Sequence, residues 1–319
     1  MAIVAIVDTG YKSYAYEKDL FGGMGYELKL FQGERTDVEA KRDLARQAEG
    51  ILVRDTPLGE ETFSRAAGLK ALVRYGTGYD NIDVAAATSH GIKVANVGGY
   101  GNHSVSDHAL ALMFGCIRGL PAGEKMILSD FGRPPFQDVF ELHDKTLGII
   151  GLGRIGGTFC EKARHLFSRV LASDPYIPDE KFTRHGAEKS DLENLLEESH
   201  VISLHCNLTP ETRQLINRDA FSRMGKRPVL INTARGPVID ADALLEAADG
   251  NRIHSAGIDV YENEPAGERQ EALVAHPRII TTGHYAWYSD RSMKVMQQRA
   301  ADNLAAMLRG EAIEDCLNP

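Results

Sequence analysis

The chain has 319 residues, of which 43% are hydrophobic and 25% charged, and a net charge of −9 spread along its length. That leaves room for two globular domains of ordinary size and argues against a nucleic-acid surface. No run approaches the roughly 20 apolar residues of a membrane span. The four cysteines (Cys116, Cys160, Cys206, Cys316) lie far apart without a C-x-x-C pair. They suit reduced thiols in a cytoplasmic protein and offer neither a disulfide frame nor a metal site. The apolar start at residues 2–7 is too short for a signal peptide and lacks a basic leader.

Over the first hundred residues, 3–7, 26–31, 50–54, 71–75 and 92–95 read as short apolar strands. Helical patterns at 38–48 and 60–67, and another starting at Asp83, separate them. Strands alternating with helices imply a parallel sheet covered on both faces. Two loops stand out: Arg54-Asp55-Thr56-Pro57, directly after a strand, and Gly76-Thr77-Gly78-Tyr79-Asp80-Asn81, whose glycines would expose N–H groups to an anion. Ordinary turn chemistry accounts for both equally well. A long helix is expected at 104–118, apolar at Val105, Ala109, Leu112 and Met113, followed by a polar stretch through Pro134-Pro135.

The most informative stretch runs from Lys145 to Asp174. Leu147 to Ile150 is a short apolar run that suits a buried strand, and apolar residues then recur at helical spacing at Ile155, Phe159, Ala163 and Leu166. Between them lies G-x-G-x-x-G at Gly151, Gly153 and Gly156. The first glycine allows the tight turn, the second lets backbone approach a pyrophosphate, and the third lets helix and strand pack closely. The helix start offers its N–H groups to the phosphates. A second strand, 169–173, ends in Asp174, near the distance of about 20 residues expected of a carboxylate that accepts the ribose hydroxyls. A glycine-rich strand-to-helix turn is the plain alternative, but the strand, helix and acid together favour a dinucleotide. Asp174, with no arginine immediately after it, favours NAD over a 2′-phosphorylated cofactor.

Further strands are expected at 201–205, 228–233, 253–259 and 278–282, and a last amphipathic helix at 291–308. Ligands in open α/β sheets sit beyond the carboxyl ends of the strands. Arg235, the pair Asp259 and Glu264, and His284 all follow such ends. An arginine can grip a carboxylate bidentately, a histidine can exchange a hydroxyl proton, and a neighbouring acid favours the imidazolium. Taken singly, each is also an ordinary surface or loop residue; their coincidence at three strand ends points to hydride transfer on a keto acid.

These segments resemble the D-isomer-specific 2-hydroxyacid dehydrogenase family over nearly the whole length. The resemblance is carried by residues 147–156, by Asn232-Thr233-Ala234-Arg235-Gly236, by Asp259-Val260-Tyr261-Glu262-Asn263-Glu264-Pro265 and by residues 76–83. It implies a Rossmann NAD domain (102–290) inserted into a flavodoxin-like substrate domain (1–101 and 291–319), both with doubly wound parallel sheets. It further implies an NAD-dependent enzyme acting on a 2-oxo or D-2-hydroxy acid, without a membrane or nucleic-acid partner, and a homodimer. Arg235, Glu264 and His284 are then the catalytic set. Cofactor contacts are implied at Gly151, Gly153, Arg154, Ile155, Gly156, Asp174, Thr212, Thr233 and Asp259, and substrate contacts at Arg54, Thr77, Gly78 and Trp287. Trp287, three residues after His284, resembles the C-terminal-binding-protein branch, which keeps open an NAD(H)-sensing corepressor-like role. Formate or phosphite oxidation is a further alternative, with Glu264 arguing against formate. Where the family usually has proline, Gly98, Asn207 and Gly283 stand here, and Ser106-Asp107 replaces Ala-Glu. Gly283 leaves the rigidity of the histidine loop open.

Overall fold

Apolar runs and the helices between them build two separate sheets in which every strand pairing is parallel. The computed structural model describes residues 1–129, 132, 139–264 and 267–319; Pro134-Pro135 and Pro265 lie outside the described residues. The chain divides into one unit made of Met1–Tyr100 and Ser289–Pro319 and another made of Gly101–Tyr288. The breaks thus fall after Tyr100 and Tyr288, where the sequence reading puts them after 101 and 290. Among the described residues no helix is long and apolar enough to cross a membrane.

The first unit contains β1 (Ile3–Ile6), α1 (Ala15–Gly23), β2 (Glu27–Leu30), α2 (Val38–Arg46), β3 (Gly50–Val53), α3 (Glu60–Phe63), β4 (Ala71–Arg74), α4 (Val84–Ser89) and β5 (Lys93–Ala95). The strand order β2-β1-β3-β4-β5 is the flavodoxin-like one. Asp37 and Asp83 cap α2 and α4, their carboxylates accepting the N–H of Ala40 at 3.0 Å and of Ala86 at 2.8 Å. The pattern at 60–67 stops being α-helical after Phe63, where tighter bonds take over, Ala66 N–H to Phe63 O and Leu69 N–H to Ala66 O. The C-terminal helix Asp290–Leu308 belongs to this unit and buries Met296, Ala300, Ala301, Leu304 and Ala305, a helical stripe of mostly small residues. It packs so closely on β3 that a Cβ at Gly50 would lie 3.0 Å from Leu308. The tail beyond it returns to the sheet edge. Ala95 bridges antiparallel to Cys316, Leu317 N–H donates to Val94 O, and the Asn318 side chain accepts the Val94 N–H at 2.7 Å.

The second unit contains α5 (Asn102–Arg118), α6 (Leu120–Lys125), β6 (Thr146–Ile150), α7 (Arg154–Ala163), β7 (Arg169–Ser173), α8 (Asp179–His185), β8 (Glu188–Lys189), α9 (Leu192–Glu198), β9 (Val201–Leu204), α10 (Arg218–Arg223), β10 (Val229–Asn232), α11 (Ala241–Asp249), β11 (Ser255–Ile258), α12 (Glu268–Ala275) and β12 (Ile279–Thr281). The sheet order β12-β11-β10-β9-β6-β7-β8 turns outward from β6 in both directions, the Rossmann arrangement. The four strands β6, β9, β10 and β11 are buried almost end to end, as parallel strands covered on both faces must be. α5 lies against β11 at a point where a Cβ on Gly257 would come within 2.8 Å of Leu112. α6, read from sequence as part of a polar connection, and β8, two exposed charged residues, carry no apolar signal and were not expected.

One buried carboxylate fixes a loop of the first unit. Asp8, just beyond β1 and 4% exposed, accepts the N–H groups of Arg54, Asp55 and Thr56 at 2.8–2.9 Å. It also accepts the Thr56 hydroxyl and the buried Lys41 ammonium, each at 2.8 Å. Burial pushes the Asp8 carboxyl up, but Lys41, the Thr56 and Arg54 N–H groups and the Thr56 hydroxyl outweigh it, so its pKa falls from 3.8 to about 2. A depressed acid stabilises the fold above its unfolded pKa and loses that contribution as pH falls through the folded one. The contribution is about 2 kcal/mol, present above pH 4 and lost toward pH 2. Asp8→Asn also leaves Lys41 buried without its counter-charge, a change that costs about 3–5 kcal/mol. Urea unfolding at pH 7 should therefore show a large loss in the variant that shrinks steadily between pH 4 and pH 2. A gap of constant size across that window would mean Asp8 is not the titrating group.

Candidate active site

In the second unit the sharp turn after β6 has the shape of a phosphate cradle. Gly151 has φ +88°, and a Cβ there would sit 2.6 Å from the Cys206 nitrogen. A Cβ on Gly156 would lie 2.0 Å from the Gly151 carbonyl oxygen, so only glycine lets α7 come this close to the strand. At Gly153, by contrast, an added Cβ meets nothing within 4 Å. That residue opens the N-terminus of α7 to a ligand, and no side chain caps it. Arg154 and Ile155 form the first turn of α7.

Asp174 closes the cradle from the end of β7. Its Oδ2 accepts the Leu152 N–H at 2.9 Å and its Oδ1 the Tyr176 N–H at 3.0 Å. Each oxygen retains a lone pair for a ribose hydroxyl. Thr233, at the end of β10, is 8% exposed, and its buried hydroxyl oxygen has no hydrogen-bond partner. Thr212 folds its own loop, donating to the Asn207 carbonyl at 2.6 Å. The orphaned Thr233 hydroxyl, the open Gly153 and the tethered Asp174 together fit a dinucleotide. His205, beneath the glycine turn, is held neutral: burial lowers its pKa to about 3, and its ring bonds Ser203 at 2.9 Å.

Arg235, Glu264 and His284 come from the loops after β10, β11 and β12. Gly236 makes the first two neighbours. A Cβ there would fall 1.9 Å from the Tyr261 carbonyl carbon, so the loop after β10 can lie directly on the loop after β11. Arg235 donates to the Ala234 carbonyl at 2.8 Å, while Asn232 holds the Arg235 carbonyl at 3.0 Å. Glu264 Oε1 accepts the Tyr261 N–H at 2.9 Å, and Oε2 pairs with His284 Nδ1. Burial raises the Glu264 carboxyl, yet the His284 hydrogen bond and charge, the Tyr261 N–H and the Arg235 charge outweigh it and keep it below the ordinary range. Arg235 and His284 thus both act on Glu264.

The histidine loop is strained and tied. His284 has φ +54°, rare for a residue with a side chain. Gly283 left the rigidity of this loop open, and the loop is fastened at several points. Asp259, with no exposed surface, accepts the Thr282 hydroxyl at 2.5 Å and the N–H groups of Tyr285 and Ala286 at 3.2 and 2.9 Å. The Tyr261 hydroxyl donates to the Thr282 carbonyl at 2.8 Å, and the Trp287 indole N–H to the His284 carbonyl at 3.0 Å. Asp259 and Trp287, expected against cofactor and substrate, also tie the histidine loop. Tyr261, Thr282 and His108 escaped the sequence reading. His108 had a signal, since it shares the inward stripe of α5 with Val105, Ala109 and Leu112.

Arg54, Thr77 and Gly78 lie in the first unit. The Arg54 guanidinium bonds Asp55 at 2.9 Å and would touch a Cβ on Gly10 at 3.2 Å. The Thr77 carbonyl accepts from Asn96 at 2.6 Å, and Asn81 reaches the Thr56 carbonyl at 2.9 Å. Asp8 and Asn81 thus hold the Arg54 loop from two sides.

The sequence profile of the D-isomer specific 2-hydroxyacid dehydrogenase NAD binding domain matches residues 110–286. A D-3-phosphoglycerate dehydrogenase of Methanocaldococcus jannaschii is 35% identical over 86% of this chain and 52% of its own length. The chain thus spans about half the length of that relative. A glyoxylate reductase of Korarchaeum cryptofilum is 33% identical over 82% of this chain and 80% of its own. The structure of an Aquifex aeolicus D-lactate dehydrogenase complexed with NAD and lactic acid superposes with a TM-score of 0.88 at 25% identity, covering 99% of both chains. With its glycine cradle in an NAD-binding domain of this type, the chain belongs to the D-isomer-specific 2-hydroxyacid dehydrogenase family.

Proposed function

We propose that the chain is an NAD-dependent oxidoreductase that interconverts a 2-oxo acid and its D-2-hydroxy acid. The observation that carries this reading is the Glu264–His284 pair with the Arg235 charge acting on it. His284 Nδ1 is committed to Glu264, so Nε2 is the nitrogen that exchanges a proton with the substrate oxygen. In reduction His284 gives that proton to the carbonyl oxygen, and in oxidation it takes it back. Glu264 fixes the ring through its hydrogen bond to Nδ1. Arg235 would hold the substrate carboxylate through its planar fork. NADH, when bound, supplies the hydride; the glycine turn, Asp174, Thr212 and Thr233 would hold it. In this reading Arg54, Thr77 and Gly78 are further substrate contacts.

A second reading of the substrate has its own support. Arg74 lies one strand from Arg54, its Nε donating to the Arg54 carbonyl at 3.1 Å, and a Cβ on Gly76 would collide with its guanidinium. Two guanidiniums at adjacent strand ends suit a 2-oxo acid with an anionic tail, whereas an indole wall at Trp287 suits an apolar one. We also read the chain as a homodimer. Phe114, Leu120, Ile127 and Leu128 expose apolar surface along α5, α6 and the turn after them. Light scattering should give twice the chain mass, and Leu120→Lys with Ile127→Lys should halve it; a monomeric parent would discard the dimer.

NADH oxidation against glyoxylate, pyruvate, longer apolar 2-oxo acids and phosphorylated or dicarboxylic ones tests the function. Turnover on none would transfer weight to an NAD(H)-sensing interaction protein, and phosphite oxidation belongs in the same panel. Asp174 should favour NADH over NADPH by at least about tenfold, since charge-assisted hydrogen bonds contribute about 1.5–3 kcal/mol each; equal kcat/KM would remove that role. Trp287→Ala should raise KM for apolar tails alone if the indole is a wall, and lower kcat on every substrate if it acts by pinning His284.

The pair also makes a prediction for pH. Glu264→Gln keeps the shape but removes the carboxylate that pairs with His284 Nδ1, so the pH profile of reductive kcat should change. A profile that stays in place would show that Glu264 and His284 are not coupled.

A further inference from the structure

His108 lies on the inward face of α5 and touches the catalytic loop on both sides of His284. Its Nε2 is 2.9 Å from the Thr282 hydroxyl and 3.5 Å from Asp259 Oδ1. Its ring meets the Tyr285 ring edge-on, with centroids 5.0 Å apart and planes at 75°. Donor counting gives the direction of the chain. Asp259 is a carboxylate and can only accept, as it does from two backbone N–H groups, so the single Thr282 hydroxyl proton goes to Oδ1. Thr282 then has only lone pairs left for His108, and the proton between them sits on His108 Nε2.

We propose that His108 is a positioning residue for the histidine loop, acting through Thr282 and Asp259. By donating to the Thr282 oxygen, it fixes the hydroxyl rotor so that its proton always points at Asp259. Asp259 then keeps its remaining lone pairs for the Tyr285 and Ala286 N–H groups, which hold the residues directly after His284. The left-handed backbone of His284 persists because both of its flanks are tied. Without the His108 donor the hydroxyl is free to turn, and the loop has a way to relax toward an unstrained conformation. The assignment rests on His284 being the acid/base of the proposed reaction, but its structural half does not.

His108→Phe keeps the ring edge against Tyr285 and removes the donor, whereas His108→Gln keeps a donor near the Nε2 position. The first reading is hydrogen exchange of the Tyr285 and Ala286 amides in the full chain without substrate. Exchange should be about tenfold faster in His108→Phe and close to the parent in His108→Gln, with the strands unchanged. The second is kinetics on whichever 2-oxo acid the panel turns over. His108→Phe should lower kcat about tenfold to a hundredfold with KM for NADH unchanged, and His108→Gln should recover most of it. Thr282→Val should reproduce the His108→Phe effects, and the double variant should be no worse than either. Parent exchange rates in His108→Phe, or equal losses in the Phe and Gln variants, would overturn the proposal. If no 2-oxo acid is turned over, the proposed activity fails while the amide exchange still decides the role of His108. Should His108→Phe not fold, Thr282→Val carries the same comparison.

Discussion

Three aspartates, each at the carboxyl end of a strand, hold the loop of the strand beside it. Asp8 after β1 takes three N–H groups from the loop after β3. Asp174 after β7 takes the Leu152 N–H from the turn after β6. Asp259 after β11 takes two from the loop after β12. The reason is common to all three. Where a parallel strand ends, the backbone loses its ladder partners, yet its neighbours are still buried and its N–H groups must find acceptors. A carboxylate offers about four lone pairs and gains most from donors around it. Loops that would otherwise be mobile are held at the end of the sheet where ligands bind.

Glycine supplies the complementary constraint. Gly236 lets the Arg235 loop lie on the Glu264 loop, and Gly156 lets α7 lie on the turn at Gly151. In both places the backbone separation is too small for any Cβ. Carboxylates pull loops in and glycines allow the distances that result. His284 then takes a left-handed backbone that neither feature alone would maintain.

Much of this was legible in the sequence, and what was missed was hidden for separate physical reasons. Buried strands announce themselves as apolar runs, and Arg235, Glu264 and His284 each follow one. β8 consists of Glu188 and Lys189, both exposed, so it has no such run to show. Asp8 was missed because the acid and the loop it holds are 46 to 48 residues apart. For Asp259 and Trp287 the ligand-facing expectation left out their part in tying the histidine loop. Their hydrogen bonds to the histidine loop depend on how the chain turns after β12, which spacing does not encode. His108 lay in plain view on an apolar helix stripe, where a histidine reads as core packing.

The tail beside β5 has a consequence for how the first unit meets other chains. An outermost strand leaves a row of unpaired N–H and C=O groups, the template on which strands from a second molecule add. Here Cys316 and Leu317 occupy that row, and Asn318 extends it by presenting its side-chain amide to Val94 and Ile92 as a backbone would. Proteolytic loss of these few residues would spare every residue of the proposed active site and still lay open a ribbon for intermolecular pairing. Clipping at the tail would thus reveal itself as aggregation before it appeared as lost catalysis.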